Sequence, residues 1–428
     1  MLGPLDLSRK RQVPPPVLPR GVESLDTLAA RPGVAEALQF FAREKRWIDD
    51  QHLTLCRIPA PTFREQQRAE WVSATLRSFG LDARVDRAGN VVATLGEATR
   101  SAPLVAVTAH LDTVLSPDSP ADVRVESGNR FLGPGVSDNG AGLAALLALA
   151  RALTLHPLPG FGAAGLLLVA NVGEEGEGNL SGMRFLCRQS PYAPRIRSYL
   201  VLDGPATDHI TAEALACRRF EITVNGPGGH SWSDHGTANP VHALSRAIAW
   251  FSDSRNAAVP PARCSWNFGL IEGGTTVNAI PTQARAKVDL RSSSSDFLDA
   301  LALDLSSIVE RALLAENEIA LAGRVTGRIK ETGSRPGGKL DDDAPILGYV
   351  RAVDTFLGIR SWPDCASTDA NVPLSLGLQA VSIGAGGTGG GAHTPGEWYN
   401  SEGRDLGLRR ILLALCLLLA DASGSVSA

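Results

Sequence analysis

Histidines and acids stand at the ends of several apolar runs in this 428-residue chain. Leu104–Val114 reads LVAVTAHLDTV, an apolar strand that closes on His110 and Asp112. Residues two apart on an extended chain point to one side. The Asp112 carboxylate can therefore orient a metal-binding imidazole at His110. Residues 133–142 read GPGVSDNGAG and put Asp138 at a sharp turn before an apolar helix. The run Gly165–Val172 leads into Glu174, Glu175 and Glu177, all in a glycine loop. Like charges at one strand end are unfavourable without a cation. Side by side, Glu174 and Glu175 point in different directions, so one can bind a metal while the other moves a proton. Asp203 ends the run Tyr199–Leu202, and His393 follows the loop GAGGTGGGAHTP at 384–395.

Taken singly, each of these is an ordinary turn, helix cap or solvated acid. Together they form a pattern. Strand ends of an α/β sheet converge at its carboxyl edge, where ligands bind. Two histidines among several carboxylates suit Zn²⁺, with Co²⁺ or Mn²⁺ as alternatives. Two ions about 3.5–4 Å apart could share one carboxylate and activate a water between them.

The elements that must position these residues can be read from periodicity. Val34, Leu38, Phe41 and Trp47 recur at helical spacing, and Glu65–Phe79 reads as an amphipathic helix stopped by Gly80. Strand-like runs Ala83–Val85, Val91–Thr94 and Leu104–Thr108 precede helix Gly142–Leu155, strand Gly165–Val172, helix Ser181–Cys187 and strand Ser198–Leu202. Such alternation predicts an α/β sheet with helices on its faces. After residue 213 the pattern changes. Arg218–Val224 alternates as a half-exposed antiparallel strand does. Helices Pro240–Phe251 and Ser295–Leu314 then intersperse strands Ser265–Ile271, Ala284–Arg291 and Val325–Lys330. The expected organisation is a flexible arm over 1–25, a catalytic α/β domain from 26–213 and 334–428, and an inserted α+β domain at 214–333. Gly333–Lys339 reads as a linker.

Composition narrows the function classes. Net charge is −4, which gives no footprint for nucleic acid or an anionic membrane. The run Ile411–Ala420 is short of the roughly 20 residues of a membrane span and reads as a buried helix. The N-terminus lacks the apolar segment of a secretory signal, and six scattered cysteines form no disulfide framework. A cytoplasmic protein is expected. Gly384–Gly389 fits GxGxxG but leads to His393 rather than opening a helix, so it is no dinucleotide fingerprint. No GxSxG elbow of a serine hydrolase is present.

The motifs resemble those of the M20 family of metallopeptidases. They are HLDT (110–113), SDNGAG (137–142), GEEGEG (173–178), LDG (202–204), GPGGHS (226–231), TVNAIP (276–281), DLR (289–291) and AHTPGE (392–397). The resemblance implies a zinc-exopeptidase-like catalytic domain with an inserted lid and dimerisation domain. It implies two divalent metal ions. His110 and Asp203 would bind one, Glu175 and His393 the other, with Asp138 bridging. Glu174 would be the general base and Asp112 would support His110. His230 would polarise the scissile carbonyl, often across a homodimer interface. Asn278 and Arg291 would hold substrate, Arg291 by its carboxylate. Glu177 has no role on this reading, and His235 and His242 read as structural. The implied activity is exopeptidase action on short peptides. The alternative is hydrolysis of N-acyl amino acids. A catalytically inactive metal-dependent binding protein would have lost the base or a ligand, and this chain retains all of them.

Overall fold

The computed structural model describes residues 18–96, 99–158, 164–256 and 262–424. Most of the arm expected over 1–25 lies outside these residues.

The chain opens with helices α1 (Leu25–Ala30), α2 (Val34–Arg43), α3 (Lys45–Cys56) and α4 (Gln66–Ser78). Strands β1 (Arg84–Val85), β2 (Val91–Leu95) and β3 (Leu104–His110) follow, then hairpin β4 (Arg124–Ser127) and β5 (Arg130–Leu132). Next are α5 (Gly140–Leu155), β6 (Gly165–Asn171), α6 (Ser181–Arg188), β7 (Ile196–Leu202) and β8 (His209–Ala214). The middle of the chain forms β9 (Ala216–Asn225), β10 (Gly229–His230), α7 (Pro240–Asn256), β11 (Cys264–Gly273) and β12 (Ala279–Ile280). It continues with β13 (Gln283–Ser292), α8 (Ser295–Ile319) and β14 (Thr326–Arg335). The last part is β15 (Gly338–Lys339), α9 (Pro345–Leu357), β16 (Trp362–Ala366), α10 (Asn371–Ser375) and β17 (Gln379–Ile383). It ends with β18 (Thr388–Gly390), β19 (Trp398–Asn400) and α11 (Arg404–Gly424).

The main sheet has the order β1-β2-β6-β3-β7-β17-β8-β15, with β16 paired to β8. Its centre is parallel: β3 pairs with β6 and β7, and β7 with β17. Strands covered on both faces read as unbroken apolar runs, and every residue of β3 and β6 is buried. Helix α5 is apolar all round, with 13 of its 16 residues buried. It packs on β3 and β7 and is itself covered by α2, α3 and α11. This is the expected mixed sheet flanked by helices.

A second sheet, β11-β13-β9-β14, is wholly antiparallel. Helices α7 and α8 cover one of its faces around a separate apolar cluster that includes Phe220, Ile222, Phe251 and Leu305. The chain passes from β8 to β9 through Leu215 alone and returns through Pro336 and Gly337. The linker expected at Gly333–Lys339 is therefore corrected. Its first part continues β14 against β9, and Gly338–Lys339 pairs with β8 in the main sheet. Glycine and proline hid two strand ends there because tertiary pairing outweighed local propensity.

Two short hairpins also escaped the periodicity reading. Hairpin β4–β5 joins β18 and β19 in a four-stranded sheet of order β18-β19-β5-β4. This sheet braces the loop carrying His393. No described helix is long and apolar enough to cross a membrane. The run Ile411–Ala420 lies in α11 and is buried except at Ala420.

Helices α9 and α11 share a buried ion pair. Arg410 donates from Nε to Asp354 Oδ1 at 2.6 Å and from an η nitrogen to Oδ2 at 2.7 Å. Arg410 is 0% exposed. Removing one partner of such a pair strands the other charge in the core. Arg410→Met should lower the unfolding free energy by about 3–5 kcal/mol, read from urea denaturation. Adding Asp354→Leu to that variant should recover most of the loss.

Candidate metal centre

The four parallel strands β6, β3, β7 and β17 end on one edge. From that edge the chain delivers Glu174 and Glu175, His110, Asp203 and, through the glycine loop, His393. Asp138 arrives from the turn before α5. These side chains form three overlapping groups whose potential ligand atoms lie within 4.8 Å of one another: His110/Asp138/Asp203, Asp138/Glu175/His393 and His110/Glu174/Glu175. All the metal-binding residues expected from sequence therefore come together.

Asp138 sits between the two imidazoles. Its Oδ1 is 3.1 Å from His110 Nε2, and its Oδ2 is 3.1 Å from His393 Nε2. His110 Nε2 is also 3.8 Å from Asp203 Oδ1, and His393 Nε2 is 2.9 Å from Glu175 Oε1. Each imidazole nitrogen thus faces oxygens of two different carboxylates. One N–H cannot align on both, whereas a cation among them satisfies all three groups. Nitrogen and carboxylate donors in this number fit a borderline divalent ion.

Supporting contacts hold several of these side chains and the turns that carry them. His110 Nδ1 donates to the backbone carbonyl of Asp112 at 3.0 Å. The Asp112 carboxylate stands further away, 3.6 Å from Nδ1. It accepts instead from the backbone N–H groups of Glu174 (3.0 Å) and Glu175 (2.8 Å) and from Thr62 Oγ1 (3.0 Å). Asp112 thus ties the β3 end to the acid loop. Arg68, fully buried, donates to the carbonyls of Ile58 and of Leu111, the residue between His110 and Asp112. Glu397 accepts three backbone N–H groups, from Gly135, Ser137 and Asp138, at 2.7–2.9 Å. Asn139 accepts from Gly142 N and donates to the Leu202 carbonyl, binding α5 to the end of β7. A Cβ at Gly142 would come within 2.7 Å of that carbonyl, so only glycine permits the approach.

The electrostatics follow from burial and crowding. Burial lowers the His110 pKa, but the carboxylates of Asp112, Asp138 and Asp203 around it outweigh this and hold the imidazole well above its usual value. Hydrogen bonds to Asp138 and Glu175 push His393 up to about 10. Burial would raise Asp138, yet the two imidazoles pull it below the carboxylate range. Glu174 goes the other way: burial raises it well above the usual value, against the opposing charge of Arg335.

Three contributors were not foreseen. Arg335, 6% exposed, donates to Glu174 Oε1 at 2.7 Å, to the Glu174 carbonyl and to Ser367 Oγ at 3.1 Å. It lies in the stretch taken for a linker, and no local signal marks it. Glu397 stands within the AHTPGE motif, four residues after His393, and that spacing was the available clue. Asp369, 1% exposed, accepts from Asn171 Nδ2 at 2.6 Å, and burial pushes it up to about 7. Glu177, left without a role, pairs with Lys287 of β13 at 2.7 Å. With Arg219 donating to the Gly176 carbonyl, it links the acid loop to the second sheet.

His230 and Asn278 belong to the β10–β12 ribbon and stand apart from the metal cluster. The ribbon pairs Gly229 and His230 with Ile280 and Ala279, and Ser231 N donates to the Asn278 carbonyl at 3.0 Å. Both side chains are exposed. His230 Nδ1 accepts from the backbone of Trp232 and Ser233 at 3.2 and 3.3 Å, which leaves Nε2 to carry the proton of the neutral ring. Arg291 meets Asp289 through Nε at 2.6 Å, not through its two terminal nitrogens.

Comparison with known proteins finds matches to two peptidase family models. Residues 217–317 match the M20 peptidase dimerisation domain, and residues 90–220 match peptidase family M28. A putative LysW-lysine/LysW-ornithine hydrolase of Pyrobaculum aerophilum is 27% identical over 240 residues, covering 55% of this chain and 63% of that protein. The chain thus spans under two thirds of that relative's length. A putative succinyl-diaminopimelate desuccinylase of Mycobacterium tuberculosis is 26% identical, covering 77% of this chain and 87% of the relative. The fold is that of a tripeptidase from Staphylococcus aureus, with a TM-score of 0.70, 19% identity and coverage of 88% and 98% of the two chains. In the match to its dimerisation domain and in its fold the chain is similar to M20 metallopeptidases.

A metal ion held by His110 and His393 would compete with protons for the same nitrogens. In the metal-free chain His110 and His393 bind protons more tightly than free imidazole does, His393 up to about 10. Metal binding must displace them, so apparent affinity rises with pH through neutrality. Zinc added at pH 7 should release about one proton from each histidine. Calorimetry in two buffers of different ionisation enthalpy measures this, and zinc binding without proton release would contradict it.

Proposed function

We propose that the chain is a two-metal hydrolase that removes a terminal residue from short peptides. One observation carries the reading: Asp138 offers one oxygen toward each of two histidines, each backed by a further carboxylate. This is the arrangement in which a single carboxylate spans two ions. His110 and Asp203 would hold one ion, Glu175 and His393 the other, with zinc the natural occupant and cobalt or manganese as substitutes. When bound, such ions supply Lewis acidity for a carbonyl and make water acidic enough to deprotonate near neutral pH.

The chain's own residues do the rest. Glu174 takes the proton from the attacking water and returns it to the leaving amine. Its burial strengthens it as a base, and Arg335 fixes one of its oxygens, leaving the other for the proton. Asp112 holds the Glu174 and Glu175 backbone in register with His110. Asn278 and the terminal nitrogens of Arg291 bind substrate, Arg291 through a bidentate grip on its carboxylate. We propose a homodimer formed through the second sheet unit. In it, His230 of the partner subunit donates its Nε2 proton to the developing oxyanion. Acceptance at Nδ1 from the N–H groups of Trp232 and Ser233 supports that tautomer.

Hydrolysis of N-acyl amino acids is the second reading. It is favoured by the desuccinylase relative, of which the match covers 87%. A panel of di- and tripeptides and N-acyl amino acids, offered to zinc-loaded protein and to a chelated control, separates the two. Cleavage of peptides but not acyl amino acids supports the first reading, and the reverse supports the second. Glu174→Gln should retain two metals per chain and lose about 10²–10⁴-fold in kcat, the usual weight of a general base. A variant that kept the wild-type rate would overturn the role of Glu174.

A further inference from the structure

One residue beside the metal centre sits against its own backbone preference. Pro61–Arg64 form a turn in which Arg64 N donates to the Pro61 carbonyl at 2.8 Å. Its third residue is Phe63, with φ at 73°. That slot ordinarily takes glycine or asparagine. A bulky residue there is a true outlier, and such strain gathers at functional sites.

The Phe63 backbone hydrogen-bonds the Glu65 carboxylate, but its side chain packs in neither apolar core and remains 69% exposed. A lone exposed apolar residue is ordinary, so exposure by itself carries no weight. The strain and the address carry it. The preceding residue, Thr62, donates to Asp112 Oδ2 at 3.0 Å. That same carboxylate holds the backbone of Glu174 and Glu175. Pro61 is bridged to Thr113, next to Asp112. A Cβ at Gly178 would stand 2.7 Å from Thr62 Cγ2, so the acid loop 173–178 lies directly on this turn. The side chains that meet that loop from the second sheet, Arg219, Lys287 and Arg335, are all cationic. Phe63 is the large apolar side chain of the turn on which this loop rests.

We propose that Phe63 selects the substrate, forming an apolar wall beside the metal centre, so that preferred substrates are short peptides with an apolar or aromatic side chain next to the scissile bond. This rests on the peptide-hydrolase reading above. A side chain packed on the ring leaves water in proportion to its apolar area. Ligand sites of this kind pair apolar walls with a few placed polar groups.

The test separates binding from turnover. Zinc-loaded full-length Glu174→Gln protein, with and without Phe63→Gly or Phe63→Leu, is titrated calorimetrically with glycylglycine, leucylglycine, glycylleucine, phenylalanylglycine and lysylglycine. Phe63→Gly should weaken the leucine or phenylalanine peptides about tenfold, which is about 1.4 kcal/mol. Glycylglycine should change less than about twofold, since it has no side chain to pack. Phe63→Leu should keep the preference. Because glycine tolerates the positive φ, Phe63→Gly should not lower Tm. Equal weakening of every peptide, no apolar preference in the parent, or a fall in Tm with unchanged preference would overturn the proposal. If protein with Glu174 intact cleaves none of these peptides while the Phe63-dependent preference persists, the hydrolase reading falls and the selectivity assignment stands.

Discussion

Asp138, Glu175 and Asp203 bring three carboxylates into a space where two imidazoles oppose them. Glu174 adds a fourth acid, restrained by Arg335, and Asp112 a fifth, restrained by backbone amides. In a buried setting such repulsion is severe unless a cation or protons intervene. Without metal, protonated histidines partly neutralise the cluster, as their raised pKa values express. Metal ions would do so more completely. Much of the surrounding structure serves to hold these charges where they would otherwise separate.

The supports come from distant parts of the chain. Glu397 grips the turn bearing Asp138 by three N–H groups across some 260 residues of sequence. Arg68 of α4 holds the carbonyl between His110 and Asp112. Arg335 reaches Glu174 from the last residue of β14, and Lys287 reaches Glu177 from β13. The second sheet therefore touches the acid loop directly. Any movement of that sheet relative to the main one must work against these contacts. The position of Glu174 is thereby tied to the placement of that sheet.

The sequence made the ligands legible because parallel strands are buried on both faces. Their apolar runs stop where the chain leaves the core, so His110, Glu174 and Asp203 stand out as the first polar residues after each run. Helices α4 to α8 were equally plain from their spacing and stops, whereas α1, α9 and α10 escaped that reading. What the sequence concealed was pairing between remote segments. Arg335 looked like part of a glycine- and proline-rich connection, and Asp369 and Thr62 look like any turn residue. The short strands β4, β5, β18 and β19 carry too few residues for a period to show, and only the sheet they form together explains them. His230 and Asn278 are legible as motif residues, but they lie on one ribbon, outside the cluster of acids and imidazoles.

The central claim is that Asp138 spans two metal ions. Anomalous diffraction from a crystal of the zinc-loaded protein, collected on both sides of the zinc edge, tests it most directly. Two anomalous peaks about 3.5–4 Å apart are predicted. One should lie among His110, Asp203 and Asp138, and the other among Glu175, His393 and Asp138. A single peak, or peaks remote from Asp138, would contradict the account.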